Sequence, residues 1–372
     1  MAGFSTPGAP GVTAHTLLTD KELAGVIDHA LLSVRDGHLY NFEAWRRLLA
    51  TQPKKALEIL KKVFTGSTGQ NSCFALTFDG TYIYVGLYTT TLAKVVKINP
   101  ATMLTVATWT GASGQPYCWA LTFDGTYIYA GLNTTPAQVV KIDRATMTTV
   151  ATWTGAGGQD LCRALTFDGT YIYAGFFITP AQVVKINRAT MATVATWTGA
   201  AGQDLCSALS FDGIYIYAGL YITPAQVVKV NPATMATVAT WTGAGGQDNC
   251  YVLAFDGTYI YAGLYIIPAQ VVKINPATMT TVATWTGAGG QNYSDALTFD
   301  GTYIYAGLVL VPAQVVKIDP ATMTTVATWT GVAGQAFCKA VTFDGTYIYV
   351  GLYTTPVQVV RKIMRDIDEV GV

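Results

Sequence analysis

The sequence predicts an all-β fold: a seven-bladed β-propeller of four-stranded blades, closed by an N-terminal outer strand and preceded by a small N-terminal helical segment. Three observations carry this. The triplet Phe-Asp-Gly recurs with its aspartates at Asp79, Asp124, Asp168, Asp212, Asp256, Asp300 and Asp344, spaced by 45 residues once and by 44 thereafter. Every repeat holds four short β-patterned runs separated by turn residues. The two ends of the array also complement each other, and a closed ring of blades leaves only short, protected sheet edges.

The chain opens on residues 1–18, rich in Gly, Pro, Ser and Thr, which are expected to form a flexible arm. In residues 19–60, Thr19 and Glu22 can form a capping box ahead of Leu23, Val26, Ile27, Ala30 and Leu31 at helical spacing. Phe42, Trp45, Leu48 and Leu49 predict a second helix, and Pro53 opens a third with Ala56, Leu57 and Leu60. Such short helices build little core of their own. They are therefore expected to cap the ring, or to attach it to sister subunits or a larger assembly. His15, His29 and His38 lie in this region without the close spacing of a zinc site.

The propeller is expected over 61–363, with 364–372 as a tail. Within a repeat, strand A ends in Phe-Asp, as in Cys162–Phe167, and Asp-Gly supplies a tight turn into strand B, "TYIYAG". A loop carrying Pro leads to strand C, "QVVKI", then "NPATM" turns the chain into strand D, "TTVATW", and "TGAGGQ" links to the next blade. The extra residue of the first repeat falls in the loop Thr89–Lys94. The last repeat stops after strand C (Val357–Ile363), while Lys61–Gly66, "KKVFTG", aligns with "VATWTG". Phe64 then occupies the place of Trp109, Trp153, Trp197, Trp241, Trp285 and Trp329, and ring closure by exchange of chain ends is favoured over an open solenoid.

The pattern "YIYAGL...AQVVKINPATMTTVATWTG" resembles the YVTN or surface-layer family of propeller repeats over roughly Phe64 to Ile363. That resemblance implies a propeller found on cell or particle surfaces in recognition roles, and it assigns no catalytic residue. The chain departs from the family pattern in the Tyr-Ile-Tyr of strand B and in its regular "TGAGGQ" linker.

Composition narrows the function. Basic and acidic residues balance at 22 each, so no nucleic-acid partner is expected. No run of 18 apolar residues predicts membrane insertion, and the start lacks a signal-peptide pattern, so a soluble protein made in the cytoplasm is expected. The blades contain no His, which removes the commonest general base, and no cofactor is expected. "GAGGQ" precedes a strand and lacks the Lys-Ser or Lys-Thr of a phosphate loop. Cys73, Cys118, Cys162, Cys206, Cys250 and Cys338 follow the blade period, with Ser294 in the remaining place, and are expected as buried small hydrophobes. The strand-C lysines, Lys97 to Lys317, are expected at solvent-facing strand ends or in cross-strand charge pairs. Asp160, Asp204 and Asp248, with Asp295, are a weak candidate for gathering cations.

The repeats act as their own control, since chemical variation concentrates in two places. One position in strand A runs Phe74, Trp119, Arg163, Ser207, Tyr251, Asp295, Lys339. The exit of strand B varies as Tyr88, Asn133, Phe177, Tyr221, Tyr265, Val309, Tyr353. In a four-stranded antiparallel blade the D-to-A and B-to-C connections share one end. Both sets therefore predict a ligand-binding face around the central opening. Aromatics beside charges suit a glycan or a partner protein. The expected function is non-enzymatic recognition or structure, surface-displayed or virion-associated. The alternatives are an intracellular protein-interaction scaffold and an enzyme with its site at the opening.

Overall fold

The computed structural model describes residues 63–363; the expected arm, helical segment and tail lie outside them. Within this range the strands form seven four-stranded antiparallel sheets. Blade 3 shows the plan: strand A at Cys162–Phe167, B at Tyr171–Phe176, C at Gln182–Asn187 and D at Thr193–Thr198. Blade 7 takes its inner three strands from Cys338–Phe343, Tyr347–Leu352 and Gln358–Ile363, and its outer strand from Val63–Thr65. The pairing Val63↔Val360, Phe64↔Val359 and Thr65↔Gln358 establishes ring closure by the two chain ends. Strand A of blade 1 packs beside strand A of blade 7, which rules out an open solenoid.

Composition explains this packing. Strands B and C are buried along both faces, since each blade is sandwiched between two others. The core accordingly lies between blades. One layer joins Tyr173, Val183 and Trp197 of blade 3 to Cys206, Ile216, Leu220 and Val228 of blade 4. The cysteines are all buried and unpaired, as the sequence implies. Each sits against the strand-B glycine of the preceding blade; a Cβ on Gly131 would lie 2.7 Å from Cys162 Sγ. Burial pushes the thiols up, Cys206 to about 12.

The Phe-Asp-Gly turn is structural in every blade. Asp79 Oδ1 accepts from the amides of Thr81 and Tyr82 at 2.8 and 2.7 Å, and Oδ2 accepts from the buried Tyr84 hydroxyl at 2.8 Å. The following glycine needs a left-handed backbone, with Gly169 at φ +94°.

Two contacts clip blade to blade. Trp109 Nε1 donates to Thr149 Oγ1 at 2.9 Å, and Trp153, Trp197, Trp241 and Trp285 repeat the bond one blade on. The strand-C lysines correct the sequence expectation. Lys97 is only 7% exposed; its ammonium donates to the Arg144 carbonyl of the next blade at 2.7 Å and lies 4.1 Å over the Tyr82 ring. Lys141, Lys185, Lys229 and Lys273 do the same. A lysine stem can cover apolar surface while its ammonium finds an acceptor, so a repeated Lys need not face solvent. Arg361 takes this place at the closing seam and donates to Pro100 O at 2.5 Å.

Candidate functional site

The seven variable strand-A residues share one structural cause. In every blade the register between strands A and B slips at this position; in blade 3, Cys162 pairs with Phe176 and Ala164 with Gly175, leaving Arg163 as the extra residue of a β-bulge. Phe74, Trp119, Ser207, Tyr251, Asp295 and Lys339 are the corresponding bulge residues. A bulge frees its residue from the ladder and re-aims the side chain. The seven side chains together line a central cavity of about 200 Å³, with the alanine and leucine positions of strand A beneath them.

The strand-B exits stand beside this mouth, held by the backbone. The Tyr117 amide donates to Thr89 O of the preceding blade at 3.1 Å, and the Tyr88 amide donates to Ser72 O at 2.9 Å. Similar bonds recur around the ring, so both variable sets occupy one end. The residue before each cysteine holds a left-handed φ between +49° and +59° to make this turn.

Aromatic rings organise the mouth into two groups. On one side a continuous stack runs Tyr117, Tyr88, Phe74, Trp119, with centroid separations of 4.4, 4.8 and 5.2 Å. The Arg163 guanidinium continues it, 3.6 Å from the Trp119 ring and 3.9 Å from Phe177. Opposite, Tyr265 stacks on Tyr293 at 4.4 Å and meets Tyr251 at 5.2 Å and Tyr221 at 6.2 Å. Tyr353 meets Phe74 edge-on at 5.7 Å. Asn133 joins no ring, and its buried Oδ1 has no hydrogen-bond partner. Sequence comparison among repeats did not single out Tyr117 and Tyr293; the signal was their place directly before the cysteine position.

The charges are few: Asp295 is buried, and Arg163 and Lys339 are half-buried. Lys339 Nζ lies 2.5 Å from Asp295 Oδ2, an ion pair by distance, yet neither carboxylate oxygen has a hydrogen bond of good direction. Burial raises the Asp295 carboxyl from 3.8 to about 6, against the opposing pull of Lys339, the Tyr251 hydroxyl and Arg163. Burial also draws Arg163 below its ordinary value. Its Nε is enclosed without an acceptor, as is the indole Nε1 of Trp119. The Ser207 hydroxyl is committed to backbone, 2.5 Å from Cys250 O and 3.3 Å from Gly219 O. Asp160, Asp204 and Asp248 do not gather with Asp295; no group of three acidic, Cys or His side chains suited to a metal occurs among the described residues.

This end carries exposed apolar residues in the loops of blade 5 and of blade 6: Ile267 at 64%, then Val311 at 70% and Val332 at 69%. The loops bearing the last two are joined, since Ala313 N donates to Gln335 O at 2.8 Å and Gly331 N to Ala313 O at 2.7 Å.

The chain is similar to the solved structure of U3-55K, with a TM-score of 0.65 and 13% identity over 81% of this chain and 98% of that one. It is similar also to the RRP9 WD40 repeats, at a TM-score of 0.64 and 13% identity over 80% of this chain and 97% of that one. The likeness is one of fold. No family model matches the chain, and no curated protein does. The surface-layer resemblance therefore rests on the repeat motifs alone.

Proposed function

We propose that this propeller is a non-catalytic recognition module that seats a protein partner over the variable end of the ring. One observation carries the reading: seven bulge residues of unlike chemistry converge on one cavity, while the other end of every blade repeats the same Asp-Tyr turn. A packing role would favour uniform residues at symmetry-equivalent positions. Rigid aromatics around a few buried charges, edged by apolar side chains, match the composition of protein interaction hot spots. The apolar rim of Ile267, Val311 and Val332 favours a protein over a glycan. Catalysis is disfavoured because the Ser207 hydroxyl and the Asp295 carboxylate are already engaged by backbone and by Lys339. The neighbours in fold lend no support to surface display or incorporation into a virion.

The test is a selection of peptides from a displayed library, followed by titration of the winners against Val311→Asp/Val332→Asp. Both positions are solvent-exposed, so the fold is expected to survive. Affinity should fall more than tenfold with an unchanged unfolding midpoint. Equal affinity for both proteins would refute this docking face.

A further inference from the structure

The Arg163 guanidinium is in an unusual position for a half-buried cation. Two rings lie against it, Trp119 at 3.6 Å and Phe177 at 3.9 Å, and such stacking leaves the edge of the guanidinium for hydrogen bonding. That edge is unspent: Nε has no acceptor among the described residues. The carboxylate lining the same cavity, Asp295, belongs to blade 6 and is held by Lys339 of blade 7 at 2.5 Å. Beside the guanidinium, the Trp119 indole N–H is also buried and unmatched. Buried donors without acceptors are costly, and natural structures keep few of them. Two such donors on neighbouring cavity residues, held in a stack that runs back to Tyr117, form a pre-oriented anion seat.

We propose that the protein partner inserts a carboxylate, from an Asp or Glu side chain or a free C-terminus, into the central cavity to meet Arg163 and the Trp119 indole. The inference rests on the protein-recognition reading above and names the chemistry of that same site. A planar guanidinium fork matches a carboxylate, and the clamp by two rings prepays the cost of orienting it. The cavity volume of about 200 Å³ admits a side chain or a chain end and not a folded element. The apolar residues flanking the carboxylate lie on the rim formed by Ile267, Val311 and Val332.

Fluorescence anisotropy with octapeptides tests this. Each sequence is made with Glu or its Gln isostere, and with a free or amidated C-terminus; an array of uronic-acid oligosaccharides is screened in parallel. Carboxylate-bearing peptides should bind more than tenfold tighter than their amides, and that ratio should collapse toward one in Arg163→Gln. Because Arg163→Gln disturbs a stack, Trp119→Phe serves as a second variant that keeps the ring and removes the donor; it should lower the ratio several-fold. Arg163→Lys, which keeps charge and loses the fork, should fall between. Peptides that bind the rim equally as acids and amides would overturn this inference and leave protein recognition standing. Binding of acidic sugars alone, or of neither class, would overturn both.

Discussion

The closing seam is where the ring is expected to be weakest. Five junctions carry the Trp-to-Thr bond at 2.9 Å; among the described residues the two flanking blade 7 show none, and Phe64 stands in the place of Trp at one of them. Phe64 is 3% exposed and packs with Cys73, Val357 and Val359, so it holds the exchanged strand largely by apolar burial. Truncation to Ala removes most of a buried ring and leaves a cavity, at a cost of about 3–5 kcal/mol. Hydrogen exchange followed by mass spectrometry reads the effect locally. The amides of Gln358–Ile363 should exchange at least about a hundredfold faster in Phe64→Ala, while those of Gln182–Asn187, the same strand in blade 3, change far less. Phe64→Trp is the reciprocal change: its indole N–H would face Thr105, the counterpart of Thr149, and add about 0.5–1.5 kcal/mol. A loss below about 1 kcal/mol in Phe64→Ala, or exchange that accelerates uniformly around the ring, would refute closure through this strand.

Asp295 should give stability a pH dependence of unusual sign. Its carboxyl titrates at about 6 when folded and near 3.8 when unfolded, so between these values the folded protein holds the extra proton. Stability should therefore fall by up to about 3 kcal/mol as pH rises from about 4 to 6, and the component should vanish in Asp295→Asn; urea midpoints across that range check it. Ser294 is fully buried with no partner for its hydroxyl, where the other blades place cysteine, so Ser294→Cys should stabilise by about 1 kcal/mol in equilibrium unfolding. Lys185→Met removes the bond to Pro232 O and the contact 4.0 Å over Tyr171, and should cost about 1–3 kcal/mol by the same measurement.

The blade plan was legible because turn chemistry and apolar runs repeat without interruption, and the missing strand D could be matched to Lys61–Gly66 by alignment alone. The convergence of Phe74, Trp119, Arg163, Ser207, Tyr251, Asp295 and Lys339 followed from topology. Its cause, a bulge at each position, did not, because a one-residue slip between paired strands leaves no compositional mark. The lysines misled for a different reason: a cation repeated on a middle strand suggests solvent, yet the ring supplies the ammonium of Lys97, Lys141, Lys185, Lys229 and Lys273 with a carbonyl from the next blade. Tyr117 and Tyr293 escaped notice because their neighbours at the same repeat position include Leu161 and Asn249, which carry no aromatic signal.

The central claim is that partners dock at the variable end. Photo-cross-linking from the two ends of one strand tests it most directly, with benzoyl-phenylalanine placed at Tyr353, beside the mouth, or at the exposed Thr346 in the opposite turn. The account predicts a cross-linked protein partner from position 353 and none from 346, with peptides mapping next to an acidic residue or a chain end. Cross-links from position 346 with none from 353 would contradict it.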